Sequence, residues 1–84
     1  MTYSVNFKRQ ALKELAKINE PFYFHIKQAI YTLADNPRPQ GCKKLKGRDG
    51  YRIRVGNYRI IYDIFDIELV VDIIALGHRN DIYD

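Results

Sequence analysis

Apolar and polar positions change their period along the chain, and each change marks an element. Residues Tyr3–Phe7, "YSVNF", alternate apolar and polar, as a short strand does. The period then lengthens: Ala11, Leu12, Leu15 and Ile18 recur at three- and four-residue spacing, which predicts a helix from about Lys8 to Ile18. Phe22, Ile26, Ala29, Ile30 and Leu33 form a second stripe. Asn19 is the candidate cap of this helix, and Pro21 falls in its first turn, where a missing N–H does no harm. The helix must end before Pro37, because the residue preceding a proline is pushed out of helical geometry. The short link between the two helices predicts an antiparallel helical hairpin.

Period two returns later. "NPRPQGCKKLKGRDG" (Asn36–Gly50) is dense in Pro, Gly and charge and reads as a loop. Tyr51–Val55 and Tyr58–Phe65 are strand-like and flank Gly56-Asn57, a two-residue hairpin turn whose leading glycine suggests type II′. After a turn near Asp66-Ile67-Glu68, the run "LVVDIIAL" (Leu69–Leu76) predicts a last strand. The order is β-α-α-β-β-β within one domain, residues 1–84. The expected class is α+β, an antiparallel sheet with the helical hairpin packed on one face.

Strand alternation then decides where the arginines of "YRIRVGNYRIIYD" point. A two-residue turn sets Val55 opposite Tyr58, Arg54 opposite Arg59, Ile53 opposite Ile60, Arg52 opposite Ile61 and Tyr51 opposite Tyr62. Tyr51, Ile53, Val55, Tyr58, Ile60 and Tyr62 share the face suited to the core, while Arg52, Arg54 and Arg59 share the other. Directly opposed like charges destabilise a sheet by a few tenths of a kcal/mol or more. Asp63 lies on the same face two pairs away and screens them only in part. The wet face of a one-sided sheet often carries such residues. Guanidinium groups converging with no acid between them are nevertheless suited to phosphate oxygens.

Composition sharpens the picture. With 84 residues, 46% of them hydrophobic and 29% charged, the chain supports one modest globular core. It has no apolar run near the ~20 residues of a membrane span and no signal-like N-terminal segment, so a cytoplasmic protein is expected. Cys42 is the only cysteine. It can form neither an internal disulfide nor a cysteine zinc cluster, and no metal or other cofactor is expected. The net charge is +4, unevenly spread. From Lys43 to Arg59, seven basic residues (Lys43, Lys44, Lys46, Arg48, Arg52, Arg54, Arg59) stand against Asp49 alone, a net +6, while the rest of the chain is net −2. A local cationic surface on a near-neutral body points to a polyanion, nucleic acid first and an acidic protein segment second. Lys43, Lys44, Lys46 and Arg48 would extend the arginine field, and such binding weakens steeply with salt.

The closing "GHRNDIYD" supplies what the strands lack. His78 can take and give a proton near neutral pH, Arg79 is a further fixed cation, and Tyr83 offers a ring for a base to stack on. Gly77 permits close backbone approach or a bend. His25, within the second helix, is assigned no role.

Taken together, "FKRQALKELAKI", the "NPRP" loop, "KKLKG", the "YRIRVGNYRIIY" hairpin and the closing glycine–His–Arg resemble the RelE branch of the RelE/ParE toxin superfamily over nearly the whole chain. The resemblance implies a compact toxin that enters the ribosomal A site and cuts messenger RNA without a metal. The ribose 2′-OH attacks the adjacent phosphate, leaving a 2′,3′-cyclic phosphate and a free 5′-OH. It also implies a cognate antitoxin, with ribosome and mRNA as the other partners, no membrane, and DNA contact only through the antitoxin. By position, Arg52 and Arg54 stand at two basic sites of the second family strand, Arg59 at the arginine that stabilises phosphate charge, Arg79 at the arginine tied to leaving-group protonation, and Tyr83 at the base-stacking tyrosine.

Two departures follow. The best-known member has lysines at Arg52 and Arg54, and an arginine hardly surrenders its proton. His78 is therefore the expected proton-transfer group, with the arginines stabilising the phosphorane. The chain also ends at Asp84, short of the C-terminal helix of some relatives. The alternative function is a ParE-like toxin that binds DNA gyrase without catalysis. The antitoxin is expected to carry a segment that folds on binding.

Overall fold

The computed structural model describes residues 2–78. Among them a five-stranded sheet, ordered β1-β5-β4-β3-β2, carries two helices on one face. The elements are β1 (Ser4–Phe7), α1 (Arg9–Ala16), α2 (Phe22–Asp35), β2 (Lys43–Lys44), β3 (Tyr51–Val55), β4 (Tyr58–Phe65) and β5 (Val70–His78). The α+β class and the helix-covered sheet are as expected. One edge is not: β1 pairs with β5 in parallel, so the sheet is mixed rather than antiparallel throughout. The cause is a strand hidden in the loop. Lys43–Lys44 pairs with Arg52 and Tyr51 as β2, which adds one reversal to the expected alternation and sets the last strand parallel to the first.

The β3–β4 hairpin has the expected register, from Val55 opposite Tyr58 to Tyr51 opposite Tyr62. Gly56 takes a φ of 60° while Asn57 stays outside the left-handed region, the signature of a type II′ turn. Between β4 and β5 the register shifts by one residue: Ile61 pairs with Ala75 but Tyr62 with Ile73, leaving Ile74 as a bulge. The bulge lets Val71, Ile73 and Leu76 all reach the core despite their uneven spacing.

Ala11 and Leu15 of α1, and Ile26, Ile30 and Leu33 of α2, close over Ile53, Ile60, Tyr62, Val71, Ile73 and Leu76. Two expected core residues stay outside: Leu12 is 52% and Phe22 48% exposed. In α1 the buried stripe runs through Ala11 and Leu15 toward the partly buried Ile18 just beyond it, which turns Leu12 to its flank. Nor does Asn19 cap α2 through its side chain. Pro21 holds the cap position without a side-chain bond, and the Glu20 carboxylate accepts the Phe24 N–H at 3.1 Å.

A polar clamp ties the loop after α2 to the sheet. The buried Tyr62 hydroxyl donates to the Pro37 carbonyl at 2.7 Å. Burial, and secondly Cys42 beside it, push this phenol well above its usual range. Arg38 donates to both oxygens of Asp66, at 3.2 and 2.9 Å, and Tyr3 donates to the same carboxylate at 2.7 Å. The Arg38 guanidinium also lies 5.3 Å from the centre of the Tyr51 ring. With Tyr51 stacked on Tyr62 at 5.9 Å, loop, sheet and β4–β5 turn are held together where the basic segment begins.

Candidate nucleic-acid interface

Because paired residues share a face, the register maps the helix-free side of the sheet row by row. Nearest the Gly56-Asn57 turn, Arg54, Arg59 and Gly77 form one row. Lys43, Arg52, Ile61 and Ala75 form the next. Asp63 and Asp72 follow, with Asp72 bound to Lys8 at 3.3 Å. Among the described residues the cations therefore gather at one end of the face, and the carboxylates of the sheet stand two rows off. In these two rows β5 contributes the small residues Ala75 and Gly77. Among the described residues, its chain neighbours apart, no atom lies within 4 Å of where a Gly77 Cβ would sit.

Burial ranks the three arginines, which sequence alone treats as equivalent. Arg54 is exposed, Arg59 is partly buried, and Arg52 is only 5% exposed, beside the buried Ile61. The three share the helix-free face as expected, but their burial differs. Arg54 is the most open of the three, Arg59 is reached only in part, and Arg52 lies within the sheet surface behind them.

The loop cations divide. Lys43, opposite Arg52, adds to the arginine face. Lys44, opposite Tyr51, turns to the helix side, its Nζ 5.5 Å from the centre of the Tyr51 ring. Lys46 and Arg48 are exposed in the following turn. That turn is anchored by buried Leu45, whose N–H donates to the Gly50 carbonyl at 3.0 Å. Gly50 has a φ of 121°, and a Cβ there would stand 3.0 Å from Leu45 Cδ1.

His78 does not join the arginines. It pairs with Tyr58, on the helix side, and the two rings meet edge-on at 5.7 Å. The physical reason is parity: two residues after core-facing Leu76, a strand side chain returns to the core side. The expected proton transfer from His78 to a phosphate held by Arg54 and Arg59 thus finds no support in the geometry. Arg79 and Tyr83 lie outside the described residues.

Around His78 the structure builds a second feature that sequence reasoning missed. Glu14, Lys17, Ile18, Tyr58, Leu76 and His78 line a cleft of about 310 Å³. Glu14 Oε1 accepts the Leu76 N–H at 2.9 Å, beyond the point where β1 has ceased to cover β5. A signal was present: Glu14 sits three residues after Ala11 and four before Ile18, a carboxylate set into the buried stripe of α1.

Comparisons with known proteins identify the family and match the fold. A family model described as the ParE toxin of the type II toxin–antitoxin system parDE matches residues 5–83. The mRNA interferase toxin RelE of Escherichia coli K12 is 31% identical, over 95% of this chain and 86% of its own length. Among solved structures, the archaeal RelE–RelB complex from Pyrococcus horikoshii aligns with a TM-score of 0.84 at 31% identity, covering 98% of this chain and 100% of that one. The intact Escherichia coli RelBE toxin–antitoxin complex aligns at 0.79 and 30% identity, covering 90% and 95%. The protein belongs to the RelE/ParE superfamily, as a RelE-like toxin of a type II toxin–antitoxin system.

Proposed function

We propose that this toxin is a ribosome-dependent endoribonuclease that cuts mRNA in the A site and so inhibits translation. The observation that carries the reading is the register pair Arg54–Arg59, two like charges directly opposite each other on the helix-free face, with Arg52 and Lys43 paired in the next row. As the 2′-oxygen attacks phosphorus, its proton leaves and the phosphorane gains negative charge. The 5′-oxygen then departs with a proton, leaving a 2′,3′-cyclic phosphate. Arg54 and Arg59 are the groups that stabilise the growing charge, a contribution typically worth 10²–10³-fold for each preorganised donor. Arg52 and Lys43 strengthen the field from the next row. Lys44, Lys46 and Arg48 contact RNA or ribosome at the rim. Arg79 and Tyr83 retain, from the family pattern, leaving-group protonation and base stacking. The partners are a cognate antitoxin, the ribosome and its message. Any DNA contact passes through the antitoxin.

The match to a ParE family model favours one second reading, inhibition of DNA gyrase without catalysis. Primer extension on a ribosome-bound message, run beside a plasmid supercoiling assay, separates the two. The nuclease reading expects cuts within the A-site codon, lost in Arg59→Ala, with supercoiling intact. Uncut message with blocked supercoiling would overturn it.

A further inference from the structure

The end of the sheet nearest the Gly56-Asn57 turn carries different chemistry on its two sides. Arg59 and Gly77 face away from the helices; Tyr58 and His78, one residue along each strand, face toward them. On the helix side three rings form a chain, with Phe22 5.8 Å from Tyr58 and Tyr58 5.7 Å from His78. Beside the last two, α1 supplies Glu14 and Lys17 at its C-terminal end. Glu14 is held against the cleft wall by its bond to Leu76 N–H, and it makes no other hydrogen bond or ion pair among the described residues.

We propose that this cleft is a nucleobase subsite, which receives the base next to the phosphate held by Arg54 and Arg59. The proposal rests on the ribonuclease reading and gives its site a means of selecting sequence. Aromatic edges and faces bind any base, so the rings alone supply affinity without preference. The fixed carboxylate adds preference. It accepts the exocyclic amine of guanine, adenine or cytosine, whereas uracil presents a carbonyl where cytosine has its amine. Lys17 and His78 lie at hand as donors to base carbonyls and ring nitrogens. The cleft is at the small end of the range for small-molecule sites, about 300–1,000 Å³, large enough for a base and too small for a folded peptide. Successive strand residues point to opposite faces, so at this rim Arg59 meets a phosphate on one side while Tyr58 and His78 meet a neighbouring base on the other. His78 thereby acts in base recognition rather than proton transfer.

The test is single-turnover cleavage of ribosome-bound messages whose A-site codon carries each of the four bases, or an abasic residue, at each position in turn. Wild-type toxin should cut about tenfold more slowly when one position loses its amine-bearing base. In Glu14→Gln, whose amide oxygen can still accept the Leu76 N–H, the group left facing the base is an NH2 donor, so the preference for an amine-bearing base at that position should be lost or turn toward a carbonyl-bearing one. In His78→Ala the difference between an intact base and an abasic residue there should shrink. Arg59→Ala should lower cutting of every message alike. Pocket variants that reproduce the wild-type base profile, whatever their overall rate, would overturn the subsite and leave the nuclease reading standing. Wild-type toxin that cuts none of the messages would overturn both.

Discussion

The two faces of the sheet were shaped by different demands. On the helix side every contact is mutually supportive: Ile26, Ile30 and Leu33 close over Ile60, Ile73 and Leu76, all fully buried, and the Tyr62 hydroxyl has its acceptor. On the other side, Arg54 opposes Arg59 across the ladder, and β5 sets only the small Gly77 beside Arg59 in the same row. A face built only for stability would set an acid against one of those arginines. The comparison teaches that local conflict, more than charge count, is what singles out the face proposed to meet RNA.

That contrast can be broken first on the stable side. Ile30→Ala should cost about 2–5 kcal/mol in urea unfolding, since a fully buried isoleucine leaves both lost transfer energy and a cavity. A loss under ~1 kcal/mol would mean that the helix face is not the close-packed one. Next in size is Tyr62→Phe, which strands the buried Pro37 carbonyl and should cost roughly 1–3 kcal/mol by the same measurement. Gly50→Ala belongs to the same range, about 1–3 kcal/mol, because alanine is strained at a φ of 121°. It should also lower RNA affinity by displacing Leu45 and the lysines around it, which a salt-dependent binding assay would register.

Smaller still is the effect of Arg54→Glu on stability, and its sign is the informative part. Replacing a like-charge pair by an opposite one should raise stability by about 0.2–1 kcal/mol. The smallest effect is expected at Asp66, on the rim between the faces. Arg38, then Tyr3, hold its carboxyl below the usual value of 3.8. Its contribution is present above that value and is lost as pH falls through the lowered one. Thermal melts of Asp66→Asn should therefore lie slightly below wild type at pH 7 and converge with it near pH 2. A constant offset across that range would remove the clamp from the pH dependence.

Much of this was legible in the chain. Alternation around Gly56-Asn57 sufficed to place Arg54 opposite Arg59 and Tyr51 opposite Tyr62, because a two-residue turn leaves no freedom of register. The bulge at Ile74 was not legible: "LVVDIIAL" is apolar at nearly every position, so parity carries no signal there. Lys43–Lys44 is too short and too polar to read as a strand, and missing it reversed the inferred sense of the last strand relative to the first. Burial of Arg52 is set by tertiary surroundings that a local pattern does not encode. His78 was different. Its distance from Leu76 already assigned it to the helix side, and its chemistry drew attention from its geometry.

The most direct measurement pairs two readouts on Arg54→Glu: urea unfolding of the toxin and primer extension on a ribosome-bound message. If the arginine face is the working surface, stability should hold or rise while cleavage falls about 10²-fold or more. Cleavage that persists in a stable variant would contradict the assignment, and so would a loss of cleavage matched by a loss of folding.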